Sequence, residues 1–354
     1  MTQTLAIFLD AYRDLNSRKL FWLAIAVSFL AVAICGAVGI DETGVQVLWF
    51  DIDSQFVNTT FIPAATFYKL IFQNLGINIW LTWLAAILAL ISTASVVPEL
   101  IASGSIDMML SKPISRARLF LTRWVTGLFF AGFQALVFVT ASFLVIGIRG
   151  GVWEPELFVA VPTVVVFFSY LYCFCALMGV LTRSTVASLL LTLVFWLVLY
   201  GLQSLEQFAN RGRIASQMEI VAIEAAIDTR LSKNADADVD RLRADLERER
   251  ESSRRWQQLY WPSYALVTVL PKTNETTEWL ERYLVQKASF RRPPDEESTL
   301  NFFGSKRVKR REFQQAVFDD AEARKGALWS IGTSLAFEAV MLGGCVWLFR
   351  RRDF

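Results

Sequence analysis

The chain has 354 residues, 54% of them apolar, with 35 Lys and Arg against 33 Asp and Glu, a net charge of +2 and no histidine. So apolar a composition predicts an integral membrane protein rather than the two soluble domains that the length alone would suggest. A charge so near neutral argues against nucleic acid as a partner, and the lack of histidine excludes Ser/His and Cys/His nucleophiles and most zinc chemistry.

The first predicted element is N-terminal. Leu5, Phe8, Leu9, Tyr12 and Leu15 recur at helical spacing with Asp10, Arg13 and Asp14 opposite. This pattern fits an amphipathic helix lying in the membrane interface, or one packed on a partner. About 18 apolar residues suffice to cross the roughly 30 Å hydrocarbon layer as a helix. Six runs qualify: Leu20–Ile40, Ile79–Val97, Leu119–Ile148, Leu157–Leu181, Thr185–Leu205 and Ala327–Phe349. The first is longer than a signal-peptide core and follows Asp10 and Asp14, so it reads as a retained span. In the third, Gly127, Ala131 and Ala135 stand four apart, a spacing that lets helices approach closely, within one chain or across a dimer seam. Cys35, Cys173, Cys175 and Cys345 fall inside apolar runs and read as small space-fillers rather than disulfides; Cys173-Phe-Cys175 lacks further ligands for a metal.

Orientation follows from the basic residues of short loops. With the N-terminus in the cytoplasm, the inner segments hold Arg13, Arg18, Lys19, Lys112, Arg116, Arg118, Arg123, Arg183, Arg350, Arg351 and Arg352, and the outer short loops only Lys69 and Arg149, eleven against two. Six spans then put both termini in the cytoplasm and the long insertion outside. Lys306-Arg-Val-Lys-Arg-Arg311 would lie outside too, which long translocated loops tolerate.

Between the second and third spans, Pro98-Glu-Leu-Ile-Ala-Ser-Gly-Ser-Ile-Asp-Met-Met-Leu-Ser-Lys-Pro-Ile-Ser-Arg116 reads as a cytoplasmic re-entry. Glu99 begins a short helix, Gly104 interrupts it, Ile106, Met109 and Leu110 form a small apolar face, and Pro113 ends the turn. Such a face suits docking into a partner's groove. Here the chain resembles the ABC type-2 exporter permeases, which carry an acidic residue, a Gly-Ser/Thr-x-Asp/Glu step and a Leu-Ser-x-Pro-Ile/Val-Ser-Arg run. Glu99, Gly104, Ser105, Asp107, Leu110, Ser111, Pro113, Ser115 and Arg116 match in turn, while Pro98 stands where the family often has arginine. The resemblance covers residues 1–205 and 262–354. It implies a multi-pass subunit of the bacterial cytoplasmic (inner) membrane that pairs with a second permease copy, as homodimer or heterodimer, and forms a translocation path. A separate ATP-binding-cassette ATPase would drive it through segment 99–116, with Glu99, Gly104, Ser105, Ile106, Asp107, Met109, Leu110, Lys112, Pro113 and Arg116 at the contact. The chain itself has no G-x-x-x-x-G-K-[ST] run, so no enzyme activity, catalytic residue, cofactor or metal is expected in it.

The expected organisation is therefore all-α: a membrane domain over 1–205, a mainly helical extracytoplasmic insertion over 206–325, and a sixth span with a basic tail over 326–354. The insertion holds 22 of the 35 basic and 21 of the 33 acidic residues. Within it, Ile214, Met218, Val221 and Ala225, then Val239, Leu242 and Leu246, follow a helical rhythm on either side of Asn234–Asp238. Two helices packed as an antiparallel hairpin, or one continuous helix, fit this pattern. Arg243/Glu247 and Glu251/Arg255 are candidate i,i+4 pairs. Tyr260-Trp-Pro-Ser-Tyr264 suits the interface, Trp279, Tyr283 and Leu284 share a helix face, and Arg291–Ser298 reads as a linker. The insertion is a candidate site for an extracytoplasmic partner, or a solvated elaboration. Glu338 is the only acidic residue near the middle of a span, so it is expected either on the translocation path or hydrogen-bonded to a neighbouring helix. A membrane-anchored scaffold displaying the insertion is the alternative function.

Overall fold

The structure, a computed structural model, describes residues 19–41, 44–47, 50–53, 63–102, 115–232, 239–287, 310–324 and 326–351, with single residues at 9, 13, 16 and 59. Most of the expected N-terminal helix, the stretch 103–114, the break at 234–238, the linker 291–298 and the tail 352–354 lie outside these. The described chain is all-α apart from one small sheet. Five of its helices are long and apolar enough to cross a membrane: Ala64–Glu99, Arg116–Gly150, Pro155–Thr182, Thr185–Leu231 and Leu328–Arg351. That is compatible with a multi-pass membrane protein.

The expected first span is shorter than predicted. Helix α1, Lys19–Ala37, gives way at Val38 to a three-stranded antiparallel meander, β1 Val38–Ile40, β2 Gly44–Val47 and β3 Phe50–Asp53. Val38 pairs with Val47, Ile40 with Val45, and Val45 with Ile52. These β-branched residues fit a pleated surface better than a helix end, and Asp41 N–H closes the turn on Gly44 O at 2.9 Å.

The second span starts at Ala64, not Ile79. Its parts are α2 Ala64–Ile71, a π-helical stretch Phe72–Ala85 and α3 Ala86–Thr93, followed by α4 Val96–Ala102. Two polar side chains that mask its first turns in the sequence find partners inside the fold. Lys69 Nζ lies 2.5 Å from Glu154 Oε1 with both side chains largely buried, and Gln73 donates to Glu281. In the wider π winding, the Thr82 hydroxyl reaches back to the carbonyl of Ile77, 2.8 Å away.

The remaining helices are α5 Arg116–Gly150, α6 Ala160–Thr182 after a 3-10 turn at Pro155–Val159, α7 Thr185–Leu231, α8 Val239–Val269, α9 Thr273–Lys287, α10 Arg310–Arg324 and α11 Ala327–Arg351. Helix α7 runs unbroken through Leu205, where the sequence suggested the fifth span would end. The chain falls into two compact units, Met1–Trp196 with Glu275–Pro293 and Leu335–Phe354, and Leu197–Asn274 with Pro294–Ser334.

In the first unit the helices alternate in direction. Phe21 meets Phe130 edge-on at 4.5 Å, and a Cβ on Gly36 would touch Val145 at 3.3 Å, so α1 is parallel to α5. Gly76 lies against Phe138 and Gly150 against Ala65, so the 64–99 run is antiparallel to α5. Gly127 faces Tyr172 and Gly132 faces Val165, making α6 antiparallel to α5. The first turns of α7 are antiparallel to α6, with Phe174 stacked on Phe195 at 4.0 Å and Phe167 edge-on to Trp196 at 5.9 Å. Helix α11 runs parallel to α6, with Glu338 beside Ser169 and Phe349 in one core cluster with Val180. Residues 96–102, 115–116, Arg183 and Arg350–Arg351 therefore gather at one end. The start of the meander and the 150–155 turn lie at the other. Helix α9 lies at that second end, its Leu280 and Leu284 buried with Tyr68, Ile146 and Leu157.

The Gly127-Ala131-Ala135 row packs within the chain. Ala131 and Ala135 are buried, and a Cβ on Gly127 would lie 2.6–2.7 Å from the Tyr172 ring.

The second unit contains the expected antiparallel hairpin, formed by the distal part of α7 and α8. Ile223 is buried with Leu242 and Leu246, Glu224 pairs with Arg250 at 3.1 Å, and Gly212 opens room for Trp256. Its buried stripe is Ile214, Ile223 and their neighbours Ile220 and Ile227; Val221, expected inside, is 65% exposed. The ion pairs on α8 are i,i+3 rather than i,i+4: Asp240–Arg243, Asp245–Arg248 and Glu247–Arg250. Helix α10 is fastened to the hairpin by a buried network. Arg213 Nη2 donates to Asp320 Oδ1 and to Asn210 Oδ1, both at 2.8 Å, and Asn210 donates to Asp320 Oδ2 at 3.0 Å. The Arg213 guanidinium also lies 5.0 Å over the ring of the fully buried Tyr260.

Candidate functional site

The candidate site is the junction between the second and third long helices. Proline lacks an N–H and its ring crowds the carbonyl four residues back. For Pro98 that carbonyl belongs to Ala94, and the helix breaks there, with a turn at Ala94–Ser95 between α3 and α4. The break is seated on α6. A Cβ on Gly179 would lie 3.2 Å from Pro98 Cδ and 3.5 Å from Val97 Cβ, so glycine is what lets the broken turn approach this closely. Val96, Val97 and Pro98 are buried while Glu99 is exposed in the first turn of α4, where a carboxylate complements the helix dipole.

The other flank is fixed by a cap. Ser115 has φ −70° and ψ 140°, and its Oγ accepts from Arg118 N–H at 3.3 Å, so the Ser-Arg pair of the motif is the N-cap and first residue of α5. One turn on, Leu119 and Phe120 are buried at 1% and 0% exposure. They belong to one core cluster with Val97, Val180 and Phe349, so both ends of the 103–114 stretch are anchored in the same buried patch. Arg183 closes α6 in the left-handed region at φ 54°, its N–H bonded to Gly179 O at 3.0 Å. Glu99 and Arg116 are thus brought to one end, with Arg118, Arg123, Arg183, Arg350 and Arg351. Gly104, Ser105, Ile106, Asp107, Met109, Leu110, Lys112 and Pro113 lie outside the described residues.

Glu338 lies elsewhere, in the middle of α11. It is 7% exposed and faces α6, with Ser169 Oγ 2.6 Å from its Oε2. The same hydroxyl is 2.8 Å from the carbonyl of Val166. Next to it in sequence, Phe337 stacks on Phe195, and Phe195 on Phe174. The carboxyl is therefore bonded to a neighbouring helix of its own chain. All four cysteines are free thiols; Cys173, Cys175 and Cys345 are buried.

Sequence reasoning missed Gly179, Ser115 as a cap, and the Lys69–Glu154 pair. The first two carried a signal: a helix-breaking proline asks for a small residue opposite, and serine followed by an apolar run marks an N-cap. The third joins residues 85 apart and had none. No family model matches the chain, and comparison with curated proteins and with solved structures returns no match.

Proposed function

We propose that the chain is the transmembrane permease subunit of an ATP-driven exporter, coupled to a separate ATPase through residues 99–116. The observation that carries this reading is the junction itself. A segment of family-like sequence links two long apolar helices whose facing ends, at Val97 and at Leu119–Phe120, share one buried core cluster. A push on such a segment reaches both helices without being absorbed in slack side chains, because close-packed interiors transmit strain.

The topology proposed with it has six spans and both termini in the cytoplasm. Helix α1 supplies the sixth. Its 19 residues rise about 28 Å, close to the hydrocarbon thickness, and it lies parallel to α5 as an alternating path requires. The arginine-rich end is then cytoplasmic. Of the two basic residues assigned to the outer end, Lys69 lies within the Ala64–Glu99 helix and is paired with Glu154. Helix α9, at the end away from the junction, supports an extracytoplasmic insertion.

A second reading, a membrane-anchored scaffold, has its own support in the self-contained network Arg213–Asp320–Asn210 of the second unit. Crosslinking separates the two. With Ser111→Cys in the full-length protein, a thiol-reactive crosslinker should capture an ATP-binding-cassette ATPase from native membranes. Capture of none, with the protein correctly inserted, leaves the scaffold.

A further inference from the structure

At the arginine-rich end, a groove of about 680 Å³ runs between the start of α5 and the end of α11. Its walls are apolar, from Leu121 on one helix and Leu342 and Val346 on the other. Its floor is opened by Gly343, where a Cβ would meet nothing within 4 Å. Its mouth carries Arg350 and Arg351, both exposed. The helices are held beside it by Phe120 and Phe349, whose ring centroids are 5.7 Å apart. Helix α11 is also the least covered of the long helices, with 17% of its apolar window buried, so the groove faces whatever surrounds the protein.

We propose that this groove binds one anionic phospholipid, its phosphate at Arg350 and Arg351 and an acyl chain along Val346 and Gly343. The seven residues from Gly343 to Arg350 rise about 10 Å, which sets the apolar floor under the first methylenes of a chain whose headgroup is at the mouth. The Arg351 guanidinium lies 4.4 Å over the Trp347 ring, which holds it at the rim, and a guanidinium edge can fork to two phosphate oxygens. Tryptophan at that depth is itself an interface residue. A free phosphate would use the arginines and leave the apolar length unexplained. A second copy seated symmetrically on this patch would bring the same arginine pair against itself. The inference takes its leaflet from the proposed topology but does not depend on coupling to an ATPase.

Native mass spectrometry of the full-length protein in mild detergent tests it, with phosphatidylglycerol and phosphatidylcholine titrated in parallel. Phosphatidylglycerol should be retained at lower concentration than phosphatidylcholine. Arg350→Gln with Arg351→Gln should weaken it roughly thirtyfold, from about one surface-charge contribution per arginine. Arg350→Lys with Arg351→Lys keeps the charge and should recover most of the binding, and Gly343→Leu, whose Cβ would have nothing within 4 Å, should block both lipids without lowering the melting temperature. Equal retention of the two lipids, or an unchanged double glutamine variant with wild-type melting, overturns the proposal. So does displacement of phosphatidylglycerol by millimolar inorganic phosphate, or a Gly343→Leu variant that changes only the monomer–dimer balance.

Discussion

At the scale of single residues, close approach is what makes this chain sensitive. Gly127 stands where an added methyl would come within 2.7 Å of the Tyr172 ring, and that ring is stacked on Trp124 and on Phe168 and has no room to retreat. Gly127→Ala should therefore destabilise the protein by about 1–3 kcal/mol, the usual cost of overpacking a filled site, read as a lowered melting temperature in detergent. Glu338→Gln is the contrasting case. An amide keeps a bond to Ser169, so yield and melting should hold while transport falls if the carboxyl serves the translocation path. Transport at the wild-type level would assign Glu338 to packing alone. The small-residue row and the lone intramembrane carboxyl were both visible in the sequence. Their partners were not, because Tyr172 and Ser169 are fixed by how α6 docks, a tertiary choice that no local pattern encodes.

At the scale of elements, legibility followed how far polar residues were satisfied nearby. Leu119–Ile148 and Leu157–Leu181 lie within helices found in the structure, since their apolar runs are uninterrupted. The second span was misplaced by 15 residues at its start because Lys69 and Gln73 look like loop residues until Glu154 and Glu281 are known to meet them. The meander was missed for the opposite reason, its valines and isoleucines continuing the apolar run of α1. The hairpin was legible as a rhythm, with its stripe rotated: Ile220, Ile223 and Ile227 face α8 where Val221 and Ala225 were expected. In the same unit, the Arg213 network predicts a measurable seam. Arg213→Ala removes four side-chain hydrogen bonds, the two at 2.8 Å among them, but leaves Asp320 its contact to Arg324 at 3.0 Å. The loss should be about 2 kcal/mol and local, appearing as faster hydrogen exchange across 310–324 with 239–250 unchanged. Uniform protection in both segments would place the network outside the unit's stability.

At the scale of the whole molecule, the two properties at stake are its sidedness and its coupling. The alternation of helix directions, with α9 at the end opposite the junction, predicts that reporters fused at Asp236 and at Phe354 report opposite compartments. A cytoplasmic signal at Asp236 would reverse the topology. Coupling is the central claim, and its most direct measurement is ATPase turnover of the copurified complex in proteoliposomes, wild type against Met109→Asp and against Glu99→Ala with Asp107→Ala. Truncating or charging one anchor of a docked interface costs about 1–3 kcal/mol, enough to uncouple a modest contact. All three proteins should insert and melt alike, and the variants should lose most of the membrane-stimulated turnover or release the ATPase. Turnover in the variants equal to wild type, with the ATPase still bound, would contradict the coupling.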